Sequence, residues 1–157
     1  MIFDSLHPKS RVWSYISSIN LSPFYKDKIT NSFNLFKNSW KSHGKPVEGC
    51  LKFNNDNNLI IGAQFIGEVM CGRSVDAHLR WINGINLDLD LDLLNRNNLA
   101  FSMNGVISIV QFKDLDKLVE NGTVNQSTIL INSFTTTNLD QIQLPFGESP
   151  FAEKYFS

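Results

Sequence analysis

The chain has 157 residues, which is close to the usual size of one domain and long enough to bury a core of its own. Hydrophobic residues make up 42% of it and charged residues only 18%, a balance that excludes an intrinsically disordered chain. The net charge of -1 argues against nucleic acid as a partner, because binding to a phosphate backbone needs many Lys and Arg side chains on one face.

The N-terminus predicts no targeting signal, since Met1 to Pro8 lack a basic segment followed by an apolar core. No apolar run approaches the roughly 18 to 20 residues that a membrane-spanning helix needs. We therefore expect a cytoplasmic protein without membrane insertion. In a reducing compartment, Cys50 and Cys71 are expected to be free thiols and not a disulfide.

The first elements in the chain are predicted to be a strand and a long helix. Residues 11–17 alternate between two faces, as a strand does. Ser22 and Pro23 predict the start of a helix, with Ser22 as the N-cap, and Gly44 predicts its left-handed end. That helix would stack one apolar face, made of Tyr25, Ile29, Phe33, Phe36 and Trp40.

A β-hairpin is predicted next. The apolar runs 47–53 and 59–66 flank residues 54–58, which are all Asn or Asp and favour a turn. Pairing about residue 56 places Cys50 opposite roughly residue 62, so the two thiols should not meet within this hairpin.

The middle of the chain predicts a second helix and an acidic strand. Ser74 is the expected N-cap, Asp76 is expected in the first turn, and Asn83-Gly84 should weaken or end the helix. Its inward side chains would be Val75, Leu79 and Ile82. Residues 87–93 then alternate strictly between Leu and Asp, which predicts a strand suited to a sheet edge.

A second hairpin and a short helix follow. Residues 99–103 and 106–112 flank Asn104-Gly105, the strongest signal for a two-residue hairpin turn. Residues 114–120 predict a short helix, and residues 128–134 predict a final strand.

These elements together predict one α+β domain over residues 1–157, with a mainly antiparallel sheet built from hairpins, two main helices and a short third helix. Residues 138–157 contain Pro145 and Pro150 among apolar side chains, and they predict an irregular C-terminal strap that lies on the body of the domain.

Two short motifs carry the residues best placed for chemistry, Trp40-Lys41-Ser42-His43-Gly44 and Cys71-Gly72-Arg73-Ser74-Val75-Asp76. A thiol just before a helix, next to Arg73, is expected to have a lowered pKa, and His43 or His78 could act as its base. Val69 and Met70 equally favour a buried, inert thiol. Cysteine-dependent catalysis is therefore the alternative hypothesis and not the leading one.

Other active chemistry is not predicted. The histidines are scattered and neither HExxH nor CxxC occurs, so we predict no metal site, although His43, Cys71 and His78 could meet in space. The Asp-rich segment begins like an EF-hand loop, but Leu93 and Leu99 replace the required Gly and Glu. No phosphate-binding glycine motif is present, so we predict no cofactor and no ATP hydrolysis.

Five groups of residues, in this order, resemble a short, functionally uncharacterised bacterial family whose members are often labelled ABC-transporter ATPases. They are Trp40-x-x-His43-Gly44, Cys71 to Asp76, Leu94-Asn95-Arg96, Gly122 with Thr128, and Asn132 with Thr137. The family's second motif usually reads Ser-Gly-Cys-Ser-Ile-Asp, whereas this chain has Cys71 first and Arg73 in place of the cysteine. The resemblance implies a cytosolic domain and no particular activity.

The leading hypothesis is a non-enzymatic interaction or adaptor domain that binds another protein. Its expected binding residues are His43, Arg73, Ser74 and Asp76, because the motifs place them on loops and caps, where binding residues are common. The alternatives are a small-molecule-binding domain and a cysteine-dependent enzyme that uses Cys71.

Overall fold

Antiparallel sheets and α-helices make up the fold, as the computed structural model describes it for residues 1–65 and 70–156. The first half contains β1 (Arg11–Ile16), α1 (Pro23–Lys37), β2 (Lys41–Ser42), β3 (Lys45–Pro46), β4 (Glu48–Asn55), β5 (Asn58–Gln64) and α2 (Gly72–Leu89). The second half contains β6 (Asn98–Met103), β7 (Val106–Gln111), α3 (Leu115–Glu120), β8 (Ile129–Ile131), β9 (Gln143–Pro145) and α4 (Ala152–Phe156).

The first sheet has the strand order β1-β5-β4, and all of its pairs are antiparallel. The predicted hairpin is confirmed as β4 and β5, and Cys50 lies opposite Gly62 as expected. β5 is described as far as Gln64, so the end of the predicted run, at residue 66, lies outside the described residues. Alternate side chains of this sheet must point to opposite faces, which gives it two separate cores.

One face of this sheet is covered by α1 and α2. Leu59 and Ile61 of β5 pack there with Ile29 and Phe33 of α1 and Ile82 of α2 in the largest buried cluster. The two helices meet through aromatic rings, since the Phe36 and Trp81 rings stack with centroids 5.6 Å apart. The apolar face predicted for the first helix is therefore a core face over most of its length.

The opposite face of the sheet is covered by the N-terminal segment. Phe3 and Leu6 pack there with Val12 and Ile60. Their side chains lie so close to Gly62 that a Cβ atom at that position would stand 2.7 Å from Leu6 and 2.8 Å from Phe3. Glycine at this position allows the segment to lie flat against the strand.

The second sheet has the strand order β7-β6-β8-β9 and is also antiparallel. The predicted turn at Asn104-Gly105 is confirmed, and both residues have positive φ, of 53° and 79°. A second core lies against this sheet, where Phe101 of β6 contacts Phe146 with ring centroids 5.6 Å apart. Leu115 of α3 is buried in the same core.

The two sheets share a small buried cluster of Ile16, Ala100 and Ile131, which come from β1, β6 and β8. An isolated bridge between Arg11 and Thr137 adds a backbone contact between the halves. The predicted single-domain α+β fold with antiparallel sheets is confirmed.

The end of the first helix differs from the prediction. α1 ends at Lys37, so Trp40 lies beyond the helix, although it is buried as expected at 2% exposure. Gly44 has the predicted positive φ, but it turns the short ribbon of β2 and β3 and does not cap the helix. Ser22 is the N-cap residue, but its side chain makes no capping hydrogen bond.

The limits of the second helix also differ. Cys71 is its N-cap, not Ser74, and the helix continues through Asn83-Gly84 to Leu89. A Gly inside a helix costs about 1 kcal/mol, which the burial of Ile82 and Ile85 on either side of Gly84 outweighs. Asp90 then ends the helix with φ 56°.

The strand predicted for residues 87–93 is therefore wrong. Leu87 and Leu89 belong to the last turn of α2, Leu91 and Asp92 have no regular secondary structure, and Leu93 lies in a turn. The predicted final strand at 128–134 is limited to β8, and the C-terminal strap also contains β9 and α4. Within the described residues, no helix is long and apolar enough to cross a membrane.

Candidate functional site

The two motifs singled out in the sequence meet at the start of α2. The Ser42 hydroxyl oxygen accepts a hydrogen bond from the backbone N–H of Cys71 at 2.9 Å. The indole N–H of Trp40 donates to the carbonyl oxygen of Ser74 at 2.8 Å. Both bonds join segments about 30 residues apart, so the β2–β3 ribbon is fixed against the first turn of the helix.

The ribbon is closed by a two-residue turn, His43-Gly44. Both residues have positive φ, of 52° and 74°, as a type I′ turn requires. Among residues other than glycine, histidine is one of the types enriched in this conformation. The turn leaves the His43 side chain exposed beside the ring of Phe65, with centroids 6.0 Å apart.

Ser74 lies inside the protein and not on the predicted surface. It is 1% exposed, and its hydroxyl donates a hydrogen bond to the carbonyl oxygen of Cys71 at 2.7 Å. The expected cap, in which Ser74 accepts a bond from a later N–H, is wrong because α2 begins three residues earlier than predicted. Asp76 likewise lies beyond the first turn of α2, and that first turn contains no acidic residue.

Arg73 and Asp76 are exposed on the outer face of α2, as the interaction hypothesis requires. With Arg80 they occupy positions i, i+3 and i+7, which lie along one side of a helix. The structure therefore brings His43, Arg73 and Asp76 to the region around the helix start and removes Ser74 from the set of accessible residues.

Cys71 is the chemically most distinct residue of this region. Hydrogen bonding by the Ser42 hydroxyl, and after it by the backbone N–H groups of His43 and Ser74, lowers the pKa of the Cys71 thiol to about 6. Its N-cap position at an 18-residue helix adds a dipole that favours the anion. The thiol is half-buried and therefore accessible. With a pKa of about 6 it is mainly ionised at neutral pH.

The expectation of an inert thiol rested on Val69 and Met70. Met70 is buried, whereas Val69 lies outside the described residues. The other cysteine, Cys50, is also free, so the predicted absence of a disulfide is confirmed for this pair.

His78 is held in the core and cannot serve Cys71 as a base. Its Nδ1 faces the carbonyl oxygen of Val75 and so carries the proton, which leaves Nε2 to accept a hydrogen bond from the Tyr15 hydroxyl at 2.8 Å. The His78 ring also lies 4.2 Å from the Trp13 ring, centroid to centroid. Burial lowers the pKa of His78 to about 4 and raises the pKa of Tyr15 to about 12.

The Tyr15–His78 pair was not found from the sequence. The alternation in β1 indicates that Tyr15 has an inward side chain, but nothing local indicates a polar partner 63 residues away. Among the described residues, no three His, Cys, Asp or Glu side chains converge as a metal site would require.

A scan against models of protein families and searches of curated proteins and of solved structures found nothing that matches this chain.

Proposed function

We propose that this chain is a cytosolic protein-interaction domain whose contact surface is the exposed region around the start of α2, made by His43, Arg73 and Asp76. The observation that carries the proposal is the hydrogen bond between Ser42 and Cys71, which holds the ribbon turn beside the helix. Side chains from two distant parts of the sequence are thereby presented together. The resemblance to the short bacterial family is a separate prediction, and the proposed contact surface does not depend on it.

The ribbon itself supports a role beyond stability. It contains only two residue pairs and forms a separate two-stranded unit outside the large sheets. Its turn residues His43 and Gly44 are exposed and in the left-handed region. Exposed loops that a rigid scaffold positions are the usual location of binding residues, and here the scaffold is an 18-residue helix.

Purification of interacting proteins with Arg73→Ala tests this proposal. We expect the wild-type protein to retain a specific protein from its native extract and the variant to lose it, because Arg73 contributes an exposed cation to the surface. Lys113→Ala is the matched control, since it removes an exposed cation from the other half of the fold. Equal recovery of the same proteins by wild type and Arg73→Ala would contradict the proposal.

A second candidate function is chemistry at the Cys71 thiolate, and the lowered pKa of this thiol favours it. A thiol that is already ionised at neutral pH needs no histidine to remove its proton, so the burial of His78 does not argue against reactivity. Labelling with iodoacetamide at pH 7, followed by mass spectrometry, should modify Cys71 before Cys50. Faster labelling of Cys50 would exclude this candidate.

A further inference from the structure

Among the described residues, the outer edge of β4 has no neighbouring strand. β4 is the last strand in the order β1-β5-β4, and within the described part of the chain it pairs only with β5. A cleft of about 390 Å³ follows this edge, with α1 on one side and the N-terminal segment on the other. β4 contains no proline and runs regularly from Glu48 to Phe53, before a register shift between Phe53 and Asn55, so the outward-facing N–H and C=O groups of this stretch can pair with another strand.

The sequence of β4 is complementary to itself. When two copies of β4 pair antiparallel about a two-fold axis at Cys50, Glu48 of one copy lies opposite Lys52 of the other. Gly49 then lies opposite Leu51. The first pair joins opposite charges and the second places a large side chain beside a small one, which are favourable combinations across paired strands.

The two charged residues are placed for this pairing. Glu48 is exposed at the start of the strand, and Lys52 lies near the edge on the same face as Glu48 and Cys50. The Lys52 ammonium donates a hydrogen bond to the carbonyl oxygen of Ile2 at 2.6 Å and lies 5.5 Å from the centre of the Phe3 ring. Within the described residues it has no carboxylate partner, so a second copy would supply one.

We propose that this chain forms a homodimer in which β4 pairs with β4 of a second copy, centred on Cys50, so that the two three-stranded sheets become one of six strands. Main-chain hydrogen bonds would supply the attraction, and the Glu48–Lys52 pairs would set the register. The α1 side chains that line this edge, Thr30, Asn34 and Lys37, are polar and exposed. An unrelated peptide would gain the main-chain bonds but not the symmetric pairing of charge and size.

Charge reversal tests the register. Wild type at about 100 µM should have twice the 17.8 kDa chain mass in sedimentation equilibrium. Glu48→Lys places two cations opposite each other at both ends of the pairing and should raise the dimer dissociation constant about tenfold or more. The double variant Glu48→Lys/Lys52→Glu restores opposite charges and should restore the dimer. Glu120→Lys, which makes the same charge change on an exposed residue at the end of α3, should leave the dimer unchanged.

Crosslinking tests the position of the axis without requiring a change at Lys52. A short bismaleimide should join two copies through Cys50 in wild type and in Cys71→Ser, but not in Cys50→Ser. Dilution should also increase hydrogen exchange at the β4 amides. A monomeric wild type, a dimer that Glu48→Lys does not weaken, or crosslinking that persists in Cys50→Ser would each overturn the proposal.

Discussion

Cys71 and His78 show that a lowered pKa favours opposite charge states in the two residue types: the anion of a thiol and the neutral form of a histidine. The two residues belong to the same helix and are seven positions apart. Cys71 stands at the helix start among hydrogen-bond donors, and its pKa is lowered so that the charged form dominates. His78 faces the core, and its pKa is lowered so that the neutral form dominates. At pH 7 the Cys71 thiol is therefore mainly charged and the His78 ring is neutral.

The reactivity of Cys71 should follow an ionisation near pH 6. The rate of alkylation by iodoacetamide, measured from pH 4.5 to 9, should rise with a midpoint near 6 in wild type, because the thiolate is the reacting form. Ser42→Ala removes the strongest contributor to the lowered pKa and should move the midpoint upward. Cys50 in the same samples is the internal control. A midpoint near 9 in wild type would contradict the assignment.

His78 should make stability depend on pH between its unfolded and folded pKa values. The pKa is 6.5 in the unfolded chain and about 4 in the folded protein, so the unfolded state binds the proton first as pH falls. The contribution of His78 to the free energy of unfolding should be fully present above pH 6.5 and should decrease by about 3 kcal/mol as pH falls to 4. Arg11 and Arg96 contribute to the lowered value, and Asp76 opposes it.

Urea unfolding at a series of pH values measures this dependence. His78→Gln should lose the decrease in the free energy of unfolding between pH 6.5 and 4. His7 is exposed, so His7→Gln should keep this decrease. A midpoint near pH 6.5 in an NMR titration of the His78 ring would show that the folded-state pKa is not lowered.

At the scale of elements, α1 is stabilised by one face, and this face was visible in the sequence. Phe33 is 2% exposed, and its ring contacts the Trp81 ring of α2 with centroids 5.3 Å apart. It also lies against Gly49 of β4, where a Cβ atom would be 3.2 Å away. One side chain therefore connects both helices and the sheet.

Phe33→Ala should lower the free energy of unfolding by about 3 to 5 kcal/mol, because it leaves a cavity among three elements. Leu35→Ala is the control on the same helix, since Leu35 is 76% exposed and should change stability by about 0.5 kcal/mol or less. Chemical denaturation of both variants measures the difference. A loss below about 1 kcal/mol for Phe33→Ala would mean that its surroundings collapse to fill the space.

At the scale of the whole molecule, Asn138 connects the N-terminal segment to the segment between β8 and β9. This residue is fully buried, and its side-chain oxygen accepts a hydrogen bond from the Phe3 N–H at 2.7 Å. Its amide group lies 2.8 Å from the Phe3 carbonyl oxygen and 3.0 Å from that of Leu6. The N-terminal segment that covers the first sheet is thus held by a residue that follows the second sheet's β8.

Asn138→Ala should destabilise the protein by about 2 to 4 kcal/mol, because it leaves buried backbone groups without partners. The N-terminal segment should also become accessible to protease before the rest of the chain. Asn121→Ala, which removes one exposed hydrogen bond to Thr123, is the control and should cost much less. Equal stability of the Asn138 and Asn121 variants would show that the N-terminal segment contributes little.

Much of the fold could be read from the sequence because hairpin turns and the apolar periodicity of helices are local. Asn104-Gly105 supplies the positive φ values of its turn whatever surrounds it. The strand predicted for residues 87–93 is wrong because two local patterns compete there. Residues 87–93 alternate like a strand, but Leu89 also continues the inward face of α2, and contact with the core favoured the helix.

The sequence by itself determined the fold class, the two hairpins and the register of the first hairpin at Cys50. Only the tertiary structure decided that Ser42 meets Cys71, that Ser74 is buried and that His78 pairs with Tyr15. Periodicity and turn chemistry act over a few neighbouring residues, so they leave a record in the sequence. A contact between side chains 29 or 63 positions apart depends on how the helix and sheet pack, and that information is not local to either residue.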